Sequence, residues 1–224
     1  MLLILAAYLL GSVPLAYLVA KFSRGIDLRQ LGSGNIGASN LWVSVSKWVA
    51  LAVGFFDLVK GALMVWVAQL LGLGVAEQVT VGVAAIVGHN WPIFLRFSGG
   101  RGIFTTLGVL LILKPWWGIA LFLAVVPVGL LIKDSPLPVL CGIAVLPLAG
   151  WLSGQPLPIT LGLLAILIIV VIRRLTAPRT QLTASVSLRQ LLINRLLFDR
   201  DIRDRKAWVH RPPPNKSTGL KETG

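Results

Sequence analysis

The sequence predicts an all-α integral membrane protein, a bundle of about seven transmembrane helices of which two are short. Three observations carry that prediction. Apolar residues make up 56% of the 224 positions and charged residues only 13%, against about 45–50% and about 25% in an ordinary soluble domain. The apolar residues gather into seven runs, giving a mean hydropathy of +0.84. The basic residues gather in alternate connections between those runs. With so little charge, most of the surface cannot face water, which excludes disordered, collagen-like and disulfide-scaffold classes. The lone Cys141 has no internal partner and says nothing about redox compartment.

A spanning helix needs about 20 apolar residues. Residues 2–20 supply the first run, 48–73 the second and 75–95 the third, interrupted near its end by Gly88-His89-Asn90. Residues 103–113 are too few for an ordinary span, and 116–132 are of marginal length. Residues 137–152 and 157–172 complete the set of seven. Hydropathy alone also allows five spans. Of the 21 Lys and Arg, 19 fall in connections on one side, while Lys114 lies opposite and Lys60 inside a span. The excess of Lys and Arg in cytoplasmic loops puts the N-terminus outside and the C-terminus in the cytoplasm. The first helix has no basic residue before it and no cleavage motif, and reads as a retained signal anchor.

The net charge of +13 is concentrated after the last run: residues 173–224 hold twelve Lys and Arg against four acids. Such a tail suits an anionic leaflet, where each charge contributes about 1 kcal/mol. Nucleic acid is not an expected partner, because only Trp208 interleaves with the basic residues. Leu188, Leu191, Leu192 and Leu196 recur at helical spacing among Arg189, Arg195, Arg200 and Arg203. The pattern fits a helix in the membrane interface or, equally, one packed on the bundle. Residues 211–224 are Pro-rich, polar and expected to be disordered.

Two connections on the cytoplasmic side carry the chemistry. Asp27 to Asn40 contains Gly32, Gly34 and Gly37, a G-x-G-x-x-G match without the strand that dinucleotide binding requires. Its glycines allow backbone N–H groups to converge on an anion, Ser33, Asn35, Ser39 and Asn40 add neutral donors, and Arg29 adds a charged fork. A tight turn is the plain alternative; fourteen residues with this many donors favour phosphate binding. The second connection, Gly88 to Gly102, ends in Gly99-Gly100-Arg101-Gly102 at a helix start, which joins free N–H groups, a positive dipole end and a guanidinium. His89 either orients this loop or takes part directly. Asp57 and Lys60, one turn apart inside the second run, read as a structural ion pair. No metal site is expected from two His and one Cys.

Taken together, these motifs resemble the bacterial acyl-phosphate-dependent glycerol-3-phosphate acyltransferases, the PlsY family. Gly11-Ser12-Val13-Pro14 through Gly32–Asn40 is similar to that family's first motif, Asp57-Leu58-Val59-Lys60-Gly61 to its Asp-x-x-Lys-Gly signature, and Gly88-His89 through Gly102, with Thr105 and Gly108, to its second motif. The resemblance implies a transmembrane acyltransferase domain over residues 1–172, a basic, partly amphipathic cytoplasmic tail over 173–210, and the terminal 211–224. It implies transfer of a fatty acyl group from an acyl phosphate, made by the soluble partner PlsX, to the sn-1 hydroxyl of glycerol 3-phosphate. The product is lysophosphatidic acid, no cofactor is needed, and the active site faces the cytoplasm. Carried over, it puts Ser33, Gly34, Asn35 and Asn40 in the catalytic loop, makes His89 and Arg101 catalytic with Ser33, Asn35 and Asn40, and makes Gly99, Gly100 and Gly102 phosphate-binding. The first loop's own chemistry adds Gly32, Gly34, Gly37 and Arg29 to the phosphate-binding set.

The chain departs from the family pattern at several places. Arg101 stands where the family has Lys, and Val43 where it has Arg. The third motif, Arg-His-Arg-Glu-Asn-Ile, is replaced by Arg173-Arg174-Leu175-Thr176-Ala177-Pro178, and the tail is longer than usual. Arg173, Arg174, Arg179 or a tail residue is the expected substitute. The alternative reading is a catalytically impaired member that binds lipid or phosphate without turnover.

Overall fold

The structure is a computed structural model that describes residues 1–177 and 186–209. It is all-helical, and its apolar helices make the chain an integral membrane protein. The first run is not one helix. Helix α1 (Leu2–Gly11) ends at Ser12 and α2 (Leu15–Arg24) begins after Pro14, because proline lacks the N–H that would continue the ladder. The chain leaves α2 through Gly25 (φ +66°), a left-handed stop that glycine adopts without strain.

After a 3-10 turn at Leu28–Gln30 come α3 (Ala38–Ser44), α4 (Lys47–Leu70) and α5 (Val75–Asn90). The third run therefore stops being α-helical at Asn90 and continues as a turn through Ile93–Leu95. Helices α6 (Ile103–Leu113), α7 (Pro115–Leu131), α8 (Pro136–Leu152) and α9 (Leu157–Leu175) follow. Four segments are long and apolar enough to cross a membrane: Leu2–Arg24, Lys47–Leu70, Val75–Leu95 and Leu157–Leu175. Helices α6, α7 and α8 are apolar but have 11, 17 and 17 residues, at most about 25 Å of helix against a hydrocarbon core of about 30 Å. Leu123, Leu130, Leu131, Val145 and Leu148 are exposed on α7 and α8, as an outer surface facing lipid requires.

Glycines set how closely the helices cross. A Cβ on Gly108 of α6 would lie 2.0 Å from the Leu58 carbonyl oxygen of α4, and one on Gly61 would lie 2.3 Å from that of Thr105. Gly11 and Gly88 play the same part between α1 and α5, where added Cβ atoms would stand 2.2 Å and 2.1 Å from the Ala85 and Tyr8 carbonyl oxygens. Without a hydrophobic drive between helices in lipid, such close backbone approach supplies the packing.

The boundary drawn at residue 172 falls within α9. The tail that follows is broken into α10 (Leu188–Phe198) and α11 (Arg205–Val209) at Asp199, which sits at φ +53°. Leu191, Asn194 and Arg195 are buried, while Leu188, Leu192 and Ile193 remain exposed. Helix α10 therefore packs on the bundle and also presents leucines outward. Arg174 fastens it, donating to the Leu196 carbonyl at 2.7 Å and the Pro136 carbonyl at 2.7 Å. Arg200 pairs with Asp134 in the α7–α8 connection at 2.8 Å. Arg179 and the stretch 211–224 lie outside the described residues.

Candidate active site

The first loop is organised around one side chain. Asn40 is buried, and its amide nitrogen donates to the carbonyls of Leu28, Leu31 and Asn35 at 3.0–3.1 Å. Its oxygen accepts from Ser33 N–H at 3.3 Å and the Ser44 hydroxyl at 3.2 Å. Gly32 (φ +52°) leaves room for it, since a Cβ there would fall 2.2 Å from Asn40 Oδ1. Upstream, Asp27 accepts from Arg29 N–H at 3.0 Å and pairs with its guanidinium at 2.6 Å. That side-chain hydrogen bond holds the Asp27 carboxyl below its usual range and raises the Arg29 guanidinium further. Asn40 and Gly32 are thus framework of the loop, and Ser33, Gly34 and Asn35 are the part turned to the cavity described below.

The second loop is braced from α9. Arg173, buried, donates to the Gly99 carbonyl at 2.7 Å and the Gly100 carbonyl at 3.0 Å. The Gly100 N–H donates to the His89 carbonyl at 3.0 Å. Gly102 (φ +71°) caps α6 beside Asn90, where a Cβ would lie 2.5 Å from Asn90 Oδ1. Arg101 donates through Nε to Asp199 at 2.8 Å and through Nη1 to the Arg173 carbonyl at 3.3 Å.

Beneath this loop lies a buried charge cluster. Lys60 Nζ is 2.7 Å from Asp57 Oδ1, the ion pair the sequence suggests, but it is also 2.9 Å from His89 Nδ1. His89 Nδ1 is 3.4 Å from the same carboxylate oxygen. An ammonium has only donors, so the shorter contact makes Nδ1 an acceptor and leaves the ring proton on Nε2. That nitrogen faces Gly100, whose missing Cβ would stand 2.0 Å away. A void of about 10 Å³, room for a single water, is lined by Ser12, Asp57, His89, Gly99 and Gly100.

The loops meet at a cavity of about 220 Å³. Arg29, Ser33, Gly34 and Asn35 line it from the first loop, Ser98, Gly99 and Arg101 from the second, and Arg173 and Ala177 from the end of α9. Ile36 and Gly99 also line the smaller void. Of the residues singled out by sequence, Ser33, Gly34, Asn35, Arg29, Gly99, Arg101 and Arg173 converge here. His89 and Gly100 border the void beneath. Gly32, Gly37, Asn40 and Gly102 support the loops, and Arg174 points its bonds away to α8 and α10.

Sequence reasoning offered a tail residue as one substitute for the third motif but did not identify which residues form a wall. Arg195, Asp199, Arg200, Asp201 and Trp208 of the tail also line the cavity. The available signal was the position of Asn194 and Arg195 on the same face as Leu191, where an amphipathic helix would otherwise be apolar. Among the described residues, no three His, Cys, Asp or Glu side chains come together as a metal site.

This geometry defines a helical membrane protein with an arginine-lined, anion-adapted cavity between two glycine-bearing loops. Residues 1–182 match the glycerol-3-phosphate acyltransferase family, and the chain belongs to it. It is similar to glycerol-3-phosphate acyltransferase 4 of Dehalococcoides mccartyi, with 40% identity over 98% of this chain and 97% of that one. Glycerol-3-phosphate acyltransferase 5 from another strain of that organism is 42% identical over 92% and 91% of the two chains. The crystal structure of PlsY (YgiH), an integral membrane glycerol 3-phosphate acyltransferase, in its glycerol 3-phosphate form superposes with a TM-score of 0.75 at 29% identity, covering 91% of this chain and 94% of that one. Its lysophosphatidic acid form gives 0.72 at 27% identity, covering 93% and 96%.

Proposed function

We propose that the chain transfers a fatty acyl group from an acyl phosphate to the sn-1 hydroxyl of glycerol 3-phosphate, releasing inorganic phosphate and lysophosphatidic acid for phospholipid synthesis. The observation that carries this reading is the cavity in which Arg29, Arg101 and Arg173 meet Ser33, Gly34, Asn35 and Gly99. Both substrates are phosphates, and guanidiniums are the donors that hold such anions. The N–H groups of Ser33, Gly34 and Asn35, which the glycine pattern suggested would converge on the anion, are instead donated within their own loop. The acyl chain lies in the bilayer while its headgroup enters the cavity.

In the transfer the hydroxyl oxygen forms the new ester bond as the bond between the acyl carbon and the phosphate oxygen breaks. The leaving phosphate takes the electron pair and, in the end, the hydroxyl proton, departing as hydrogen phosphate. A mixed anhydride has a good leaving group, so no acyl-enzyme is required, and positioning with electrostatic stabilisation suffices. His89, with its proton on Nε2, serves as a donor to developing negative charge rather than as a base. Lys60, itself held by Asp57, fixes that tautomer by donating to Nδ1, and Arg173 holds the Gly99–Gly100 backbone in place.

In the membrane, seven spans with the N-terminus outside set both loops at the cytoplasmic face, where a soluble PlsX-type enzyme supplies the acyl phosphate. The segregation of 19 of the 21 basic residues supports this orientation. Membership of an acyltransferase family favours turnover over a binding protein that has lost it. Purified protein given acyl phosphate and glycerol 3-phosphate should make lysophosphatidic acid, and acyl-CoA should not replace the donor. Ser33→Ala and Arg101→Ala should each lower the rate. Well-folded protein that yields no product would overturn the reading. Cysteines placed at Ser98 and Lys114 that label from the same side of the membrane would overturn the topology.

A further inference from the structure

We propose that Asp199, on the tail, is a positioning residue of the active site: it holds the Arg101 guanidinium so that its remaining donors meet the substrate phosphate. The inference rests on the acyltransferase reading above and extends it beyond residues 1–182, the span that matches the family.

Arg101 comes from a loop with glycine on both sides, which gives its backbone little restraint of its own. Its side chain is instead fixed by two partners on two other elements. Asp199 accepts from Nε at 2.8 Å, and the Arg173 carbonyl accepts from Nη1 at 3.3 Å. Among the described residues nothing accepts from Nη2. A guanidinium held along its Nε side presents the remaining amino group and its spare protons to an anion entering the cavity that Arg101 and Asp199 both line. The carboxylate is itself constrained. Asp199 ends α10 in the left-handed conformation, its N–H donating to the Arg195 carbonyl at 3.1 Å. The adjoining Arg200 is tied to Asp134 at 2.8 Å. Such pre-ordering reduces the entropy lost when phosphate binds, and a charge-assisted bond is about twice as strong as a neutral one.

The opposite possibility is that the carboxylate competes with substrate for Arg101. The geometry favours a clamp, because the contacts fall on Nε and leave Nη2 clear. The two predict opposite signs. Full-length Asp199→Ala should raise the KM for glycerol 3-phosphate about tenfold, with kcat changed far less, as loss of a charge-assisted positioning bond implies. Asp199→Asn keeps an acceptor for Nε and should recover most of that loss. In an Arg101→Ala background, Asp199→Ala should add nothing, since the effect passes through Arg101. Asp134→Asn, which loosens the tail through Arg200 but leaves the Asp199–Arg101 bond in place, should raise KM far less than Asp199→Ala does. A KM that falls in Asp199→Ala, an additive double variant, or Asp134→Asn matching Asp199→Ala would each overturn the proposal. If Asp199→Ala does not fold, an Asp199→Asn enzyme with a KM above that of an Arg101→Ala enzyme would do so. Wild-type protein making no lysophosphatidic acid would defeat the acyltransferase reading instead, and calorimetric binding of glycerol 3-phosphate to wild type and the same variants would still decide the role of Asp199.

Discussion

Gly100→Ala is the sharpest perturbation the site allows. The backbone there is not left-handed, so alanine brings no strain of its own. Its methyl, however, would lie 2.0 Å from His89 Nε2 and 2.9 Å from Cδ2 and Cε1. Ordinary contact begins near about 3.5 Å, so ring and loop must part by about 1.5 Å. Neither moves freely. The ring is held at Nδ1 by Lys60 at 2.9 Å, and the loop by the Gly100 N–H to the His89 carbonyl at 3.0 Å and by Arg173 on two carbonyls. Overpacking of this kind costs about 1–3 kcal/mol of stability, and misplacing a reacting group by about 1 Å costs about a hundredfold in rate. We therefore expect kcat to fall by about two orders of magnitude, with a modest drop in the thermal midpoint in detergent. Steady-state acyl transfer with saturating substrates measures the first, and thermal unfolding the second. In a His89→Ala background the same substitution finds open space and should cost little more. An undiminished kcat in Gly100→Ala, or an equal cost with and without the imidazole, would refute the contact.

Three further outcomes follow from the same geometry. Arg173→Lys keeps the charge, but one ammonium in place of a fork loses a bond to Gly99 or Gly100, so the KM for glycerol 3-phosphate should rise about tenfold in the transfer assay. Lys60→Met leaves the buried Asp57 carboxylate without its counter-ion and should destabilise the protein by about 3–5 kcal/mol. Adding Asp57→Asn should restore most of the thermal midpoint. The folded Asp27 carboxyl titrates below its ordinary value of 3.8, so its contribution is complete above that pH and is lost as pH falls through the lower, folded value. The difference in midpoint between wild type and Asp27→Asn should therefore be constant above about pH 5 and shrink only in stronger acid.

Much of this fold was legible because lipid imposes length and polarity on a span. The second run and those on either side of the tight turns fell within a few residues of α4 and α6–α9. The break in the first run was also written in the chain, at Pro14, but its apolar neighbours masked it. Asp57 and Lys60 were legible as a pair because a helix fixes residues three apart on one face. His89, 29 positions beyond Lys60, was not legible as their partner, since that contact is made by the packing of α4 against α5. Asn40 shows the same limit. Its residue type marks a donor, and only the folded loop shows that its donors are spent on the loop's own carbonyls. The tail's contribution was hidden because a basic amphipathic helix after a span has two equally good homes, the lipid surface and the bundle.

Three departures of this sequence from the family pattern converge on one place. Arg101 stands where Lys is usual, Ala177 where a third-motif Asn is usual, and the tail is longer, and Arg101, Ala177 and Asp199 all line the same cavity. These changes are physically linked. A lysine at 101 is a single point charge, whereas a guanidinium has separate N–H groups for Asp199, for the Arg173 carbonyl and for a ligand. A small residue at 177 removes a polar side chain where the tail brings its own, and the tail's charges arrive in pairs, Asp199 on Arg101 and Asp201 on Arg195 at 2.7 Å. Two other departures stay off the cavity wall: Val43 is exposed on α3, and Arg174, at the third-motif His position, donates to the Leu196 and Pro136 carbonyls. Losing the third motif is therefore not by itself evidence of lost turnover. What a phosphate needs is a set of fixed donors, and here α9 supplies the brace and the tail the clamp.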